Sequence, residues 1–130
     1  MKAVKINLAG AERYLAFTGE AMFRLRDEFG DVTSLVEALK PDTRESLSTA
    51  ARAAAILAEQ GELARRHMGY TETAIVDAET ILTTTTPAGI PLLKMSVIAA
   101  IELGYGRDIR ADSDEIDLGL AELNAQKKTT

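Results

Sequence analysis

The longest helical pattern in the chain lies between residues 43 and 68, and it limits the fold more than any other feature. Its apolar residues recur at spacings of three and four, which places them along one side of a helix. These residues are Leu47, Ala50, Ala51, Ala54, Leu57 and Ala58. Because most of them are alanine, another helix can approach this side closely. Thr43 or Asp42 is expected to begin the helix, Gly61 to break or bend it, and Gly69 to end it.

Residues 4–17 predict a β-hairpin. Val4, Ile6 and Leu8 alternate with polar residues, a period of two that is typical of a half-buried strand. A turn is expected at residues 9–12, where Gly10 can adopt a positive φ, and a second strand at residues 14–17. Since a two-stranded hairpin is only marginally stable alone, we expect it to pack on the helices.

Two helices are predicted between the hairpin and the long alanine-rich segment. Thr18 is expected to cap the first, which ends at Gly30. Asp31 or Thr33 is expected to open the second, and Pro41 terminates it because proline cannot continue a helix.

Two more helices are predicted after Gly69. Thr71 or Thr73 is expected to open the first, and the four threonines at residues 83–86 to end it, because their hydroxyls compete for backbone hydrogen bonds. The second is expected to begin at residue 86 or after Pro91 and to end at the glycines that follow residue 103. Its expected buried side consists of Leu93, Val97, Ile98, Ala100 and Ile101.

The last part of the chain has a different character, with six acidic residues and one basic residue between positions 108 and 122. Asp112 or Ser113 is expected to cap a final amphipathic helix. Its residues Ile116, Leu120 and Leu123 lie in line, and Asp114 and Glu115 lie near its positive end. This helix either packs on the core or binds a partner through those five residues.

The predicted fold class is therefore mainly α, with an N-terminal β-hairpin packed on a domain of five to six helices. Residues 1–106 are assigned to a compact hairpin-plus-helices domain. Residues 107–130 are assigned to the acidic C-terminal helix and tail, and the glycines before them are compatible with mobility.

The residue types that carry catalysis and metal binding are scarce. The 130 residues include no cysteine and one histidine, which excludes a thiolate nucleophile, a cysteine metal site and a histidine pair. We interpret His67 as a structural residue near a helix end, and Arg65 with Arg66 as a solvated helix end. The acidic residues 112–117 fail the spacing of an EF-hand calcium loop. The sequence thus predicts a protein that is not an enzyme and has no catalytic residue, metal or cofactor.

Charge and hydropathy narrow the classes of partner. The net charge is −5 and aromatic residues make up 5% of the chain, which disfavours nucleic acid as a partner. No run of eighteen consecutive apolar residues occurs, and the first residues lack the continuous apolar run of a secretory signal. We therefore expect no membrane partner and a cytoplasmic location, and the sequence leaves a homo-oligomer open.

The N-terminal half resembles a known family in three consecutive segments. Residues 15–18, 20–30 and 32–39 read LAFT, EAMFRLRDEFG and VTSLVEAL, after a first strand and a turn that contains glycine. This order resembles the tail assembly chaperones of long-tailed bacteriophages and gene transfer agents. The resemblance covers about residues 4–60, and nothing in residues 61–106 adds to it.

The resemblance implies a non-catalytic function in the cytoplasm of the host cell. Such a chaperone binds the tape measure protein and keeps it soluble during tail morphogenesis, with the major tail tube protein as a second candidate partner. Two alternatives belong to other classes. The chain is a small structural component of the virion, in the tail or connector, or a helical host adaptor or regulator that acts through its C-terminal helix.

Overall fold

The computed structural model describes residues 1–106 and one short strand near the C-terminus. This part of the chain is mainly helical, with an N-terminal hairpin packed against the helices, which confirms the predicted fold class. The strands are β1 (Lys2–Leu8), β2 (Ala11–Leu15) and β3 (Glu115–Asp117). The α-helices are α1 (Gly19–Phe29), α2 (Val32–Leu39), α3 (Arg44–His67), α4 (Ala78–Thr84) and α5 (Ile90–Gly104), and a 3-10 turn at Pro87–Gly89 precedes α5.

The hairpin turn contains two residues, fewer than the sequence predicts. Ala9 and Gly10 both have positive φ values, 53° and 78°, as in the turns whose twist matches that of the flanking strands. The tighter turn lets β2 begin at Ala11, whereas the sequence predicts a second strand that begins at residue 14. β1 and β2 then pair as antiparallel neighbours from Leu8 with Ala11 to Val4 with Leu15.

The strand β3 corrects the prediction of a C-terminal helix. Glu115–Asp117 pairs antiparallel with the first half of β1, so the sheet order is β2-β1-β3. The helix prediction is therefore wrong at these residues. An apolar residue between two acids fits a short strand as well as a helix, and the edge of β1 offers backbone groups that need partners. Residues 107–114 and 118–130, where the rest of the predicted helix falls, lie outside the described residues.

The predicted break at Gly61 is also wrong, because α3 continues through it as a helix of 24 residues. The glycine instead permits a close approach between α3 and β2. A Cβ atom at Gly61 would lie 1.8 Å from the carbonyl oxygen of Tyr14. One turn earlier, the backbone N–H of Ala16 donates a hydrogen bond of 3.1 Å to the carbonyl of Leu57. The long helix therefore covers the outer edge of β2.

Helix caps agree with the sequence in the first half of the chain. The side chains of Thr18, Asp31 and Thr43 accept hydrogen bonds from the backbone of the first turns of α1, α2 and α3, at 2.8–3.1 Å. Asp31 rather than Thr33, and Thr43 rather than Asp42, are thus the capping residues. α1 ends at Gly30, whose φ is 84°.

The helix predicted to open at Thr71 or Thr73 begins later. α4 begins at Ala78 with Asp77 as its cap, and residues 70–77 are not helical. The threonines at residues 83–86 behave as predicted where α4 ends. For example, the hydroxyls of Thr84 and Thr85 donate to the carbonyls of Thr80 and Ile81, each at 2.7 Å.

The core lies between the helices and one side of β1 and β2. Its largest fully buried apolar side chains are Leu15, Leu25, Leu35, Leu57, Ile81, Leu93, Val97 and Ile101. Of the residues predicted on the buried side of α5, Leu93, Val97, Ala100 and Ile101 are buried and Ile98 is half-buried. The predicted buried side of this helix is thus confirmed, with Ile98 at its margin.

Gly61→Ala is expected to lower the free energy of unfolding by about 3 kcal/mol, because the new methyl group would overlap the Tyr14 carbonyl. The matched control is Gly19→Ala in α1, where nothing lies within 4 Å of the added Cβ. That variant should be as stable as the wild type or up to about 1 kcal/mol more stable. Urea denaturation of the three proteins checks this, and equal stabilities would show that α3 and β2 are not in close contact.

Candidate functional site

The helix α5 is the most apolar element of the described chain and is only partly covered. The stretch Pro87–Gly104 has a mean hydropathy of 1.3, so its length and composition would allow it to cross a membrane. Only 33% of this stretch is buried against the rest of the protein. The core helices of soluble proteins pass the same test of composition, but they are usually mostly buried, and α5 is not.

The uncovered side of α5 presents apolar side chains to solvent. Leu92 is 54% exposed and Met95 is 66% exposed. With half-buried Ala99 they follow the spacing i, i+3 and i+7, so the three lie on one side of the helix. We call Leu92, Met95 and Ala99 the α5 surface. Lys94 donates to the carbonyl of Pro41 at 2.9 Å, which holds its ammonium group toward the α2–α3 connection.

A groove of about 190 Å³ borders the α5 surface at Leu92. Its walls are residues 6–9 at the end of β1, residues 84–86 after α4, and Gly89, Leu92 and Leu93. None of these residues carries a charge, and none belongs to β2. The groove therefore lies along the side of β1 that faces away from β2.

A second notable feature is a buried cluster of charges near the end of α3. The side chains of Glu62 and Arg65 are only 8% and 6% exposed. One carboxylate oxygen of Glu62 accepts from Arg65 Nη1 at 2.8 Å, and the other accepts from Arg66 Nε at 2.9 Å. The second oxygen also accepts from the backbone N–H of Thr73 at 2.7 Å. We call Glu62, Arg65 and Arg66 the α3 charge cluster.

The surroundings of Glu62 keep its carboxylate ionised. Burial by itself would raise the pKa of Glu62. The hydrogen bonds from Thr73, Arg66 and Arg65, with the charge of Arg65, more than offset burial, so the pKa is lowered from its ordinary value of 4.5.

Arg65 is held between two aromatic rings. Its guanidinium lies 5.0 Å from the ring centres of both Tyr14 and Tyr70, close enough for cation–π attraction. The Nε atom of Arg65 is buried and has no hydrogen-bond partner among the described residues. The rings and the Glu62 carboxylate together compensate the burial of this charge.

The α3 charge cluster explains two wrong predictions. Arg65 and Arg66 do not form a solvated helix end, because both pair with Glu62 and Arg65 is buried. The cluster also binds the backbone of the following segment, since Arg65 donates to the carbonyl of Thr71 and Arg66 to that of Thr73. Backbone groups used in this way cannot form the first turn of a helix at residues 71–75.

The spacing of Glu62 with Arg65 and Arg66, three and four residues apart, is a sequence signal that could have revealed the cluster. The spacing does not show burial, which depends on Tyr14 and Tyr70 from other parts of the chain. All hydrogen-bond acceptors of the cluster point to backbone or to its own members. We therefore assign the cluster a structural function, namely to fix residues 70–77 against α3.

The residues predicted to bind a partner are not brought together as a helical surface. Ile116 and Glu115 belong to β3, and Asp114, Leu120 and Leu123 lie outside the described residues. His67 is exposed at the end of α3, as a structural residue can be. Within residues 1–106 and 115–117, no group of three or more His, Cys, Asp and Glu residues could hold a metal ion.

Glu62→Gln is expected to destabilise the fold by about 3 kcal/mol near neutral pH, because it leaves Arg65 buried without its carboxylate. Because folding lowers the pKa of Glu62, the carboxylate stabilises the protein above pH 4.5, and this stabilisation is lost as the pH falls below that value. The unfolding free energies of wild type and variant, measured in urea over a pH series, should therefore converge in acid.

The control for this experiment is Glu72→Gln. The Glu72 side chain is 74% exposed and lies 4.0 Å from Arg66 Nε, so its loss should change the stability by less than about 0.5 kcal/mol. A similar loss in both variants, or a difference for Glu62→Gln that stays constant in acid, would contradict the structural assignment of the cluster.

Comparison of the chain with protein-family models, with curated proteins and with solved structures gave no match.

Proposed function

We propose that this protein is a non-catalytic tail assembly chaperone that binds the tape measure protein and keeps it soluble while a phage tail is built. The resemblance of residues 4–60 to this family names the partner. The single structural observation that supports the proposal is the α5 surface, an apolar side of a helix that the described residues leave exposed.

An exposed apolar helix side is suited to a helical partner. Two helices pack by placing the side chains of one between those of the other, and the i, i+3, i+7 spacing of Leu92, Met95 and Ala99 provides such a row. Methionine adapts its shape to different neighbours, which suits a surface that must cover many sites along a long polypeptide. The tape measure protein is such a polypeptide, according to the resemblance.

The charge of the chain supports the same function. A net charge of −5 on a protein of 130 residues keeps a complex soluble while apolar sides are covered. The apolar contact area of Leu92 and Met95 is small, so each contact is weak. Weak, repeated contacts allow the chaperone to leave when the tail tube assembles around its partner.

Met95→Glu tests this proposal. The residue is 66% exposed, so the substitution should change the stability of the protein by no more than about 0.5 kcal/mol. It places a charge in the proposed helix contact and should weaken binding about tenfold, as expected for a central apolar contact. The measurement is the amount of soluble tape measure protein recovered when it is coexpressed with each variant.

The matched control is Leu63→Glu, an apolar-to-acidic change at a residue of α3 that is 42% exposed. This variant should keep the tape measure protein soluble as well as the wild type does. The proposal is wrong if the wild type does not solubilise the tape measure protein. If Met95→Glu acts like the wild type, the α5 surface is not the binding site.

A further inference from the structure

The side of β1 that faces away from β2 is only partly paired. β3 pairs with Lys2, Ala3 and Val4, which form the first half of the strand. No described residue pairs with residues 5–8 on this side. A strand edge of this kind presents backbone N–H and C=O groups that another strand can bind.

The register of the hairpin shows which groups lie on that edge. Leu8 and Ala11 flank the two-residue turn, so they exchange hydrogen bonds with each other, and the pattern then alternates along the strands. Ile6 is directed toward β2, and Asn7 directs its N–H and C=O groups the other way. The same alternation directs Ala3 toward Ile116, in agreement with the position of β3.

The free part of this edge opens onto the uncharged groove described above. Ile6 and Leu8 form its β1 wall, and Leu92 and Leu93 form the opposite wall. A strand added beside Asn7 would place alternate side chains into the groove and the intervening ones toward solvent. The groove therefore favours apolar residues at every second position and offers no partner for a charge there.

We propose that residues 5–8 of β1 bind an extended, uncharged segment of a partner protein as an added antiparallel strand, next to β3 on the same edge. Pairing of β3 with this edge demonstrates the mode of binding, and the groove selects the side chains. This site is distinct from the helix contact proposed for the α5 surface, although Leu92 borders both.

Asn7→Pro tests the strand site in the full chain. Proline removes the N–H that the added strand needs, but β2 does not use this N–H, so the hairpin is retained. The probe is a fluorescein-labelled peptide, Lys-Thr-Val-Thr-Val-Thr-Lys, and the readout is fluorescence anisotropy. We expect the wild type and Asn7→Thr to bind the probe equally, and Asn7→Pro to bind about tenfold more weakly.

A control peptide with proline in place of each threonine keeps the valines but cannot form the ladder, and it should not bind. If Asn7→Pro fails to fold, amide hydrogen exchange of the wild type replaces it. The probe should then slow exchange of the Asn7 amide without changing that of exposed loops.

Three results would overturn the proposal. Equal binding of the probe by Asn7→Pro and the wild type would show that the edge is not used. No binding by the wild type, with an Asn7 amide already protected, would show that residues 107–114 of the same chain occupy the edge. Self-association that Asn7→Pro abolishes would assign the edge to a second copy. Met95→Glu lies outside the groove, so failure of either proposal leaves the other testable.

Discussion

The close contact between α3 and β2 is the constraint on which the rest of the structure depends. Gly61 lets the helix touch the Tyr14 carbonyl, and the Ala16 N–H bonds to Leu57 in the middle of the same helix. These contacts cover one edge of the sheet, so the other edge, that of β1, remains to pair with β3 and to border the groove. They also bring the Tyr14 ring over Arg65, and the α3 charge cluster is assembled there. A single glycine thus connects the sheet, the long helix and the buried charges.

Buried charges and exposed apolar groups have separate functions in this chain. Burying Glu62 and Arg65 is costly, and the cost is offset by short hydrogen bonds, two tyrosine rings and the backbone of residues 71–73. That arrangement is complete in itself and stabilises the fold. In contrast, Leu92 and Met95 lose the stabilisation of about 25 cal/mol per Å² that burial would provide. Exposure of these side chains has no benefit to the isolated fold, which is why we place the interaction surface there.

The sequence predicted what depends on local rules. Thr18, Asp31 and Thr43 cap helices because of short-range hydrogen bonds, and the periods of β1 and α5 show which residues are buried. The wrong predictions all depend on distant residues. Gly61 is explained by Tyr14, the extended segment after Gly69 by the α3 charge cluster, and β3 by the free edge of β1. The α5 surface was not predicted, because apolar periodicity identifies the buried side of a helix but not an apolar residue that stays exposed.

The central claim is that the protein acts on the tape measure protein during assembly and then leaves. The most direct measurement is quantitative mass spectrometry of assembly intermediates and of purified mature particles from cells that produce phage. The account predicts that the chain is bound to the tape measure protein in the intermediates and is absent from the mature particles. A constant number of copies in mature particles would contradict this account and identify a structural component of the virion instead.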